Sequence, residues 1–585
     1  MVELRYPLIH YYSIAVLGLN LSTIVLGLTF LSFPGESAFW DFSGWIFLSS
    51  WTSTIMLALL APQILVVLKP TSKRTKRLGY ITIAVLDAAK VSAFALSLLL
   101  STSNSNAISE IGSALVLLYA SFFGCSAMNS YFAFNIVKQT KNSKLVSPKE
   151  KKTTPKTAKP RFSSNKKLPL LHIGILLIGS MALGLMVYFA IISLVGVYLD
   201  GINGLMGVIS ASFGWLFSIF TWSTTVGGIK ILRRLHLPRL AIGFGLIGLI
   251  TGSILLAPMI AVPSIISEVN TGFGEAYGAD WEERIPPSAM NYFKSNQLIA
   301  AEYFLSKPLN DCIVKENISF YNGSTGNEEG LQLFFDAYLP PLTNQPLPGA
   351  NSTLIRIHGG GFTIGDKGIG NMPLMNRYFA AQGYCVFDIQ YGLINRSSLL
   401  SFGRIITPEH VIGNYSVNDM LRHIGLFCQY LTNHQSEYPA NLSSAFISGG
   451  SAGGHLTCAT ALAIASGNYT STFGSELNIK GYVPFYPAID LESKIDGGVS
   501  NQEFYSPASL ISANSPPCLI YHGNQDGLVA PQNSIDIKDR YTNQANPACL
   551  TIFLPFAGHG SDINFYGYYN QFFLYYMERF LYLHR

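Results

Sequence analysis

The sequence predicts an α/β fold in its C-terminal half, built on a mostly parallel eight-stranded sheet. An all-α membrane part of about seven transmembrane helices is expected before it. Three observations carry this reading. Hydrophobic residues make up 49% of the 585 and charged residues only 12%, a balance that points to membrane spans. The charge is also divided, with 22 Lys/Arg against 7 Asp/Glu in residues 1–265 and 16 against 26 in residues 266–585. Finally, beyond residue 311, short strand-like runs alternate with helical ones, as in a parallel sheet covered on both faces.

Apolar runs of spanning length lie near 9–32, 43–68, 79–101, 109–137, 170–198, 205–228 and 238–264, each near the ~20 residues a helix needs to cross the hydrocarbon core. The first is too long, and lacks a cleavage-like end, for a signal peptide. Lys69, Lys73, Arg74, Lys76 and Arg77 follow the second run, and eleven Lys/Arg between Lys138 and Lys167 follow the fourth. Lys230, Arg233, Arg234 and Arg239 follow the sixth, whereas the other loops carry only Glu36 and Asp41, Glu110, or Asp200. Basic loops stay cytoplasmic. The alternation therefore predicts a multi-pass protein of the plasma membrane or an endomembrane, with a cytoplasmic N-terminus and a luminal or extracellular C-terminal half.

The expected organisation is four spans over 1–137, a basic linker over 138–168 and three spans over 169–265. A connector or cap over 266–311 and a globular domain over 312–585 follow. The linker is Lys, Pro, Ser and Thr with almost nothing apolar, so it cannot bury a core; it reads as a topogenic segment or as a contact for anionic lipid. Asp87 and Lys90 share one helix face inside the third run, as a structural ion pair or a functional one. Gly44-Trp45-Ile46-Phe47 with Trp51-Thr52-Ser53-Thr54 returns as Gly214-Trp215-Leu216-Phe217 with Trp222-Ser223-Thr224-Thr225, either a repeat of the spans or a coincidence of apolar helices.

Two features bear on the compartment. Asn317, Asn322, Asn351, Asn395, Asn414, Asn441 and Asn468 all stand in N-x-S/T after the last span, which predicts a glycoprotein. Six cysteines (Cys312, Cys385, Cys428, Cys458, Cys518 and Cys549) lie in the same half, compatible with disulfides or with buried free thiols.

The chemistry gathers at strand ends. Strands are expected at 312–321, 331–339, 352–358, 384–391, 443–449, 479–486, 517–522 and 548–555, with helices near 371–382, 415–433, 451–466, 531–544 and 564–583. Phe446-Ile447-Ser448-Gly449-Gly450-Ser451-Ala452-Gly453-Gly454-His455 carries an apolar strand through G-x-S-x-G into a helix. So tight a turn strains its central residue and requires glycine beside it, here Gly449 and Gly453, and it lifts the Ser451 hydroxyl clear of the sheet. His358-Gly359-Gly360-Gly361-Phe362 follows an earlier strand, where glycines let backbone N–H groups turn into a cleft and meet a developing oxyanion. Asp526, in Tyr521-His522-Gly523-Asn524-Gln525-Asp526-Gly527, and His559, in Phe556-Ala557-Gly558-His559-Gly560, also follow strands. The order Ser, Asp, His is one in which a nucleophile, its orienting acid and its base recur.

HGGGF, GGSAGGHL, HGNQDGLV and GHGSD together resemble alpha/beta-hydrolase esterases of the hormone-sensitive-lipase-like and carboxylesterase type, over roughly 310–585. The resemblance implies an alpha/beta-hydrolase fold with Ser451 as nucleophile, His559 as general base and Asp526 as the residue that orients it. It implies an oxyanion hole from the N–H groups of Gly360, Gly361 and Ala452, and an ester or lipid-like substrate. Two departures stand out. Gly450 replaces the Asp or His common before the nucleophile, and Tyr391-Gly392-Leu393 to Pro408-Glu409-His410 looks like an interrupted Y-R-L-A-P-E-H run, which implies a rebuilt pocket wall.

Other candidates read as structural. His455 on the elbow helix is expected to pack, and His522 to shape the Asp526 turn. Asp490, Glu492 and Asp496 are alternatives to Asp526 that lack the strand-end motif. No H-E-x-x-H, C-x-x-C pair or phosphate loop occurs, so no metal, nucleotide cofactor or nucleic-acid partner is expected. The oligomeric state is left open. An amidase, peptidase or acyltransferase would share this triad, and a receptor or transport-type protein with a hydrolase-like binding domain is the reading from another class. The last helix holds ten aromatics between Phe565 and Tyr582, more than one packed face needs. Its outer face is expected either to rest on membrane lipids, with Tyr at headgroup level, or to be buried by the connector.

Overall fold

The computed structural model describes residues 167–585 apart from 200, 300–301, 304–308, 370, 397–406, 490 and 492–501. The first four expected spans, most of the basic linker, Asp87 with Lys90, the first copy of the repeat, and Asp490, Glu492 and Asp496 lie outside the described residues.

The fifth, sixth and seventh expected spans are helices, α1 (Lys167–Val195), α2 (Gly201–Arg234) and α3 (Pro238–Ala261). Among the described residues, two stretches, Gly179–Tyr198 and Pro238–Tyr277, are long and apolar enough to cross a membrane. Large apolar side chains stand exposed on both helices, Leu177 and Met181 on α1 and Leu240, Ile242, Leu249 and Ile250 on α3.

The described residues fall into two compact units. The first takes residues 167–190 and Trp215–Leu256. Within it, Gly228, Gly248 and Gly252 bring α2 and α3 together, because a Cβ at these positions would collide with Phe244, Thr225 and Trp222. Small residues at a helix crossing permit this approach. Trp222 and Thr225 of the repeated motif thus serve helix packing.

The second unit takes the described parts of Ile191–Gly214, Ala257–Tyr303 and Lys307–Arg585. Its sheet consists of β1 (Ile313–Asn322), β2 (Gln332–Leu339), β3 (Ser352–Ile357), β4 (Cys385–Ile389), β7 (Asn441–Gly450), β8 (Ile479–Phe485), β9 (Cys518–Gly523) and β10 (Cys549–Leu554), in the order β1-β2-β4-β3-β7-β8-β9-β10. Only β2 runs against its neighbours. Two short strands, β5 (Leu393–Ile394) and β6 (Ile412–Gly413), pair outside this sheet. Strands β3 and β4 are buried at every position, as expected of parallel strands covered on both faces.

The covering helices are α4 (Ile266–Tyr277), α5 (Met372–Ala381), α6 (Val417–Asn433), α7 (Ala452–Ser466), α8 (Gln532–Asn543) and α9 (Tyr568–His584). A capping box of Ser416 and Asp419 starts α6, whose Phe427 meets Phe335 of β2 edge to face at 5.0 Å. All eight expected strands and five expected helices are present, shifted by a few residues at their ends.

The aromatic surplus of α9 is buried by the connector. One face lies on the sheet, with Phe573 at 4.9 Å from Phe485. The other lies under α4 and the segment after it: Tyr576 meets Phe273 at 5.7 Å, Phe580 meets Tyr277 at 5.1 Å and Tyr582 meets Phe293 at 5.7 Å, ring centre to ring centre. The expected lipid-facing side is thus covered by protein. All six described cysteines are free and five are buried, including Cys518 and Cys549, which are register partners on β9 and β10. The seven sequon asparagines are all exposed.

Candidate active site

Strand β7 runs straight into α7 through Ser451, whose backbone stands at φ 58°, ψ −119°. This is a strained conformation for a residue with a side chain, of the kind that collects at functional sites. It is held by the Ser451 N–H, which donates to Phe485 O on β8 at 3.0 Å, and by the first α7 bond, from His455 N to Ser451 O at 3.0 Å. The flanking glycines are obligatory. A Cβ on Gly449 would collide with Ile357 O, and one on Gly453 would lie 2.5 Å from His358 O. Gly450, the departure from the family pattern, has its own reason, since a Cβ there would sit 2.9 Å from the Tyr486 hydroxyl.

The glycine loop follows β3. His358 stacks on Tyr391 at 4.4 Å, and the Tyr391 hydroxyl donates to His358 O at 2.8 Å. Burial lowers the His358 pKa to about 4, so its ring is neutral and structural. Gly359 passes so close to the elbow that a Cβ would lie 2.7 Å from Gly450 O and 3.4 Å from Ser451 Cβ. Gly360, Gly361 and Phe362 then take φ values of 125°, 60° and 63° in succession. Ala452 is the first residue of α7, where backbone N–H groups have no helical partner.

The structure brings Ser451, His559 and Asp526 into one row. His559 Nε2 is 2.9 Å from Ser451 Oγ, and His559 Nδ1 is 2.8 Å from Asp526 Oδ2. Asp526 follows β9 and is fully buried. Its other oxygen, Oδ1, accepts from Leu528 N and Val529 N, both at 2.9 Å. Burial alone would raise its pKa, but the facing imidazoles of His559 and His522 and the hydrogen bonds they give outweigh it. They hold the carboxyl well below the usual carboxylate range. His522 Nε2 faces Val529 O at 3.0 Å and Asp526 Oδ2 at 3.4 Å, while Nδ1 faces Ser534 Oγ at 2.6 Å. Two acceptors at Nε2 fix the proton there, so Nδ1 accepts from the Ser534 hydroxyl. His522 therefore shapes the Asp526 turn, and His455 is packed, its ring nitrogens facing Ala488 O and Phe504 O.

Two residues without a sequence-assigned role complete the site. Tyr486, at the end of β8 with φ 36°, lays its ring 4.5 Å from that of His559. Its hydroxyl donates to Asp562 Oδ1 at 2.8 Å, and Asn371 Nδ2 approaches Asp562 Oδ2 at 3.4 Å. Burial raises the Asp562 pKa against the opposing effect of these partners. The available signal was position, since Tyr486 ends a strand beside the nucleophile's strand and Asp562 closes the GHGSD motif.

The mostly parallel sheet and its strand order support an alpha/beta-hydrolase fold. A family model described as BD-FAE matches residues 335–541, a stretch that includes Ser451 and Asp526 and ends before His559. The chain is similar to the probable carboxylic ester hydrolase LipM of Mycobacterium tuberculosis, 27% identical over 238 residues, or 37% of this chain and 51% of the relative. It is also similar to esterase LipC of the same organism, 22% identical over 232 residues, or 36% of this chain and 53% of the relative. The chain thus spans about half the length of the curated relatives it matches. Among solved structures it is similar to the apo form of Thermogutta terrifontis esterase 2, at 20% identity, covering 47% of this chain and 92% of that one with a TM-score of 0.34. It is likewise similar to the carboxylesterase Cest-2923 of Lactobacillus plantarum, at 19% identity, 42% and 85% coverage and a TM-score of 0.33.

Proposed function

We propose that this chain is a membrane-anchored serine hydrolase that cleaves carboxylic esters, with the hydrolase on the luminal or extracellular side. The observation that carries the reading is the hydrogen-bonded row Ser451–His559–Asp526, with Ser451 on a strained elbow. The names of the curated relatives support an ester as substrate. The exposed apolar surfaces of α1 and α3 support a membrane anchor.

In this mechanism Ser451 Oγ attacks the ester carbonyl carbon while its proton passes to His559 Nε2. The carbonyl π electrons move to oxygen, and the N–H groups of Gly360, Gly361 and Ala452 receive the oxyanion. Collapse breaks the carbon–oxygen bond to the alcohol, which leaves with the proton from His559, and an acyl-Ser451 remains. Water then repeats the sequence, giving its proton to His559 and releasing the acid. Asp526, ionised by its surroundings, keeps the proton of His559 on Nδ1 and so presents Nε2 as the base.

A fluorophosphonate probe and a panel of p-nitrophenyl esters test this. Ser451→Ala is expected to abolish labelling and turnover while folding is retained. His559→Ala should lose as much turnover, because triad members act as a unit. Asp526→Asn should lose about 10³–10⁴-fold in kcat, since an amide favours the wrong histidine tautomer. Labelling that persists in Ser451→Ala would identify a different nucleophile.

A further inference from the structure

The turn after α1 (Gly196–Tyr198) and the first turns of α2 belong to the second unit and pack on both loops that carry Asp526 and His559. A Cβ on Gly196 would lie 2.6 Å from the carbonyl oxygen of Gln525, the residue before Asp526. A Cβ on Gly204 would lie 3.0 Å from the carbonyl carbon of Gly527, the residue after it. Conversely, a Cβ on Gly527 would collide with the carbonyl oxygens of Leu199 and Gly196. At the base, a Cβ on Gly558, the residue before His559, would lie 2.9 Å from the carbonyl carbon of Gly207. The Val197 N–H points at Gln525 Oε1 at 3.4 Å, and the Tyr303 hydroxyl donates to Ser212 O at 3.2 Å, tying the start of α2 to the connector. Gly196 of the turn and Gly204 and Gly207 of α2 therefore meet two glycines that adjoin Asp526 and His559 in sequence, backbone against backbone.

Such a contact has no side chains to absorb a change in spacing. One added methyl at Gly196, Gly204, Gly527 or Gly558 must move a loop by several tenths of an ångström, and the loops concerned carry His559 and Asp526. Catalytic groups need placement to within ~0.5 Å, and a misplacement of ~1 Å costs on the order of 10²-fold in rate.

We propose that residues 196–199 and 201–207 are a positioning element of the active site. Gly196, Gly204 and Gly207 hold the Asp526 and His559 loops in register with Ser451, and the site is complete only with this turn seated. The proposal rests on reading Ser451, His559 and Asp526 as the triad.

The test uses the full chain in detergent micelles with p-nitrophenyl butyrate as substrate. Gly196→Val and Gly204→Val are compared with Gly184→Val and Gly243→Val, two positions where an added Cβ meets nothing within 4 Å. The turn variants are expected to lose at least tenfold in kcat with KM within twofold, and the controls to match wild type. The acid limb of kcat/KM should also move to lower pH in the turn variants, because a base drawn away from the Asp526 carboxylate holds its proton less firmly. A purely structural defect would reduce the folded fraction and leave that limb in place.

Should the valine variants not fold, Gly204→Ala and Gln525→Ala decide. Each is expected to give a smaller loss of kcat, the same shift of the limb, and faster amide exchange confined to peptides over 524–529 and 556–560. Folded turn variants with wild-type kcat and an unmoved limb would overturn the proposal while leaving the triad intact. Wild-type protein that is not labelled at Ser451 by fluorophosphonate would overturn the triad reading itself.

Discussion

Asp526, in the loop after β9, and Asp388, on β4, are both completely buried carboxylates, and their surroundings push them in opposite directions. Asp526 receives two backbone N–H groups on one oxygen and faces two imidazoles on the other, so its charge is preserved. Asp388 has Gly368 N and Asn376 Nδ2 on Oδ2, each at 2.9 Å, and no partner on its buried Oδ1. Burial, with the like charge of Asp336, raises its pKa to about 7 against the effects of the Gly368 N–H and Arg356. The unfolded carboxyl titrates near 4. Between about pH 4 and 7 the folded chain therefore binds a proton that the unfolded chain does not, and stability falls as pH rises, by about 1.4 kcal/mol per unit for one such group. Asp388→Asn is expected to flatten that dependence, so that Tm drops less from pH 5 to 7 than in wild type. Equal slopes would mean that Asp388 is ionised in the fold across this range.

Elements show a similar contrast between what can and cannot be read in advance. Helix α9 carries Glu578 and Arg579, both buried among aromatics. Glu578 Oε1 accepts from Lys294 N at 2.6 Å and from Arg579 at 2.7 Å, while Oε2 accepts from the Tyr378 hydroxyl at 2.5 Å and Gln382 Nε2 at 3.2 Å. Arg579 also donates to Lys294 O at 3.1 Å. Glu578→Ala strands a buried guanidinium and should cost about 3–5 kcal/mol, measured by denaturant unfolding, with Glu578→Gln milder because it keeps the acceptor. A loss below ~1 kcal/mol would show that water reaches the network.

The eight strands and five helices were legible because alternating runs of different period reveal them, and Ser451, Asp526 and His559 because strand-end motifs do. The cover of α9 was not, since aromatics on both faces fit a lipid surface and a protein one equally. Tyr486 was hidden for another reason: its place beside His559 comes from the β8–β9 register and a positive φ, which no local motif encodes. The seat of Gly196, Gly204 and Gly207 on the loops of Asp526 and His559 was hidden because these glycines look like those of any apolar helix.

At the scale of the whole molecule, the proposed placement of the C-terminal domain rests on the basic loops seen in the sequence. Basic loops after the second, fourth and sixth apolar runs predict that everything beyond about residue 265 lies across the membrane from the N-terminus. The folded domain is compatible with that environment in one measurable respect: Asn317, Asn322, Asn351, Asn395, Asn414, Asn441 and Asn468 are all exposed. Glycan addition requires such exposure on the luminal side and never occurs in the cytoplasm. Chain made in microsomes is therefore expected to run faster after endoglycosidase treatment, with single Asn→Gln changes each removing one step of that shift. In sealed microsomes, a tag after Arg585 should resist added protease and one before Met1 should be cut. A C-terminal tag digested from the cytoplasmic side, with no endoglycosidase shift, would place the hydrolase in the cytoplasm and reverse the topology, while the row of Ser451, His559 and Asp526 would stand unchanged.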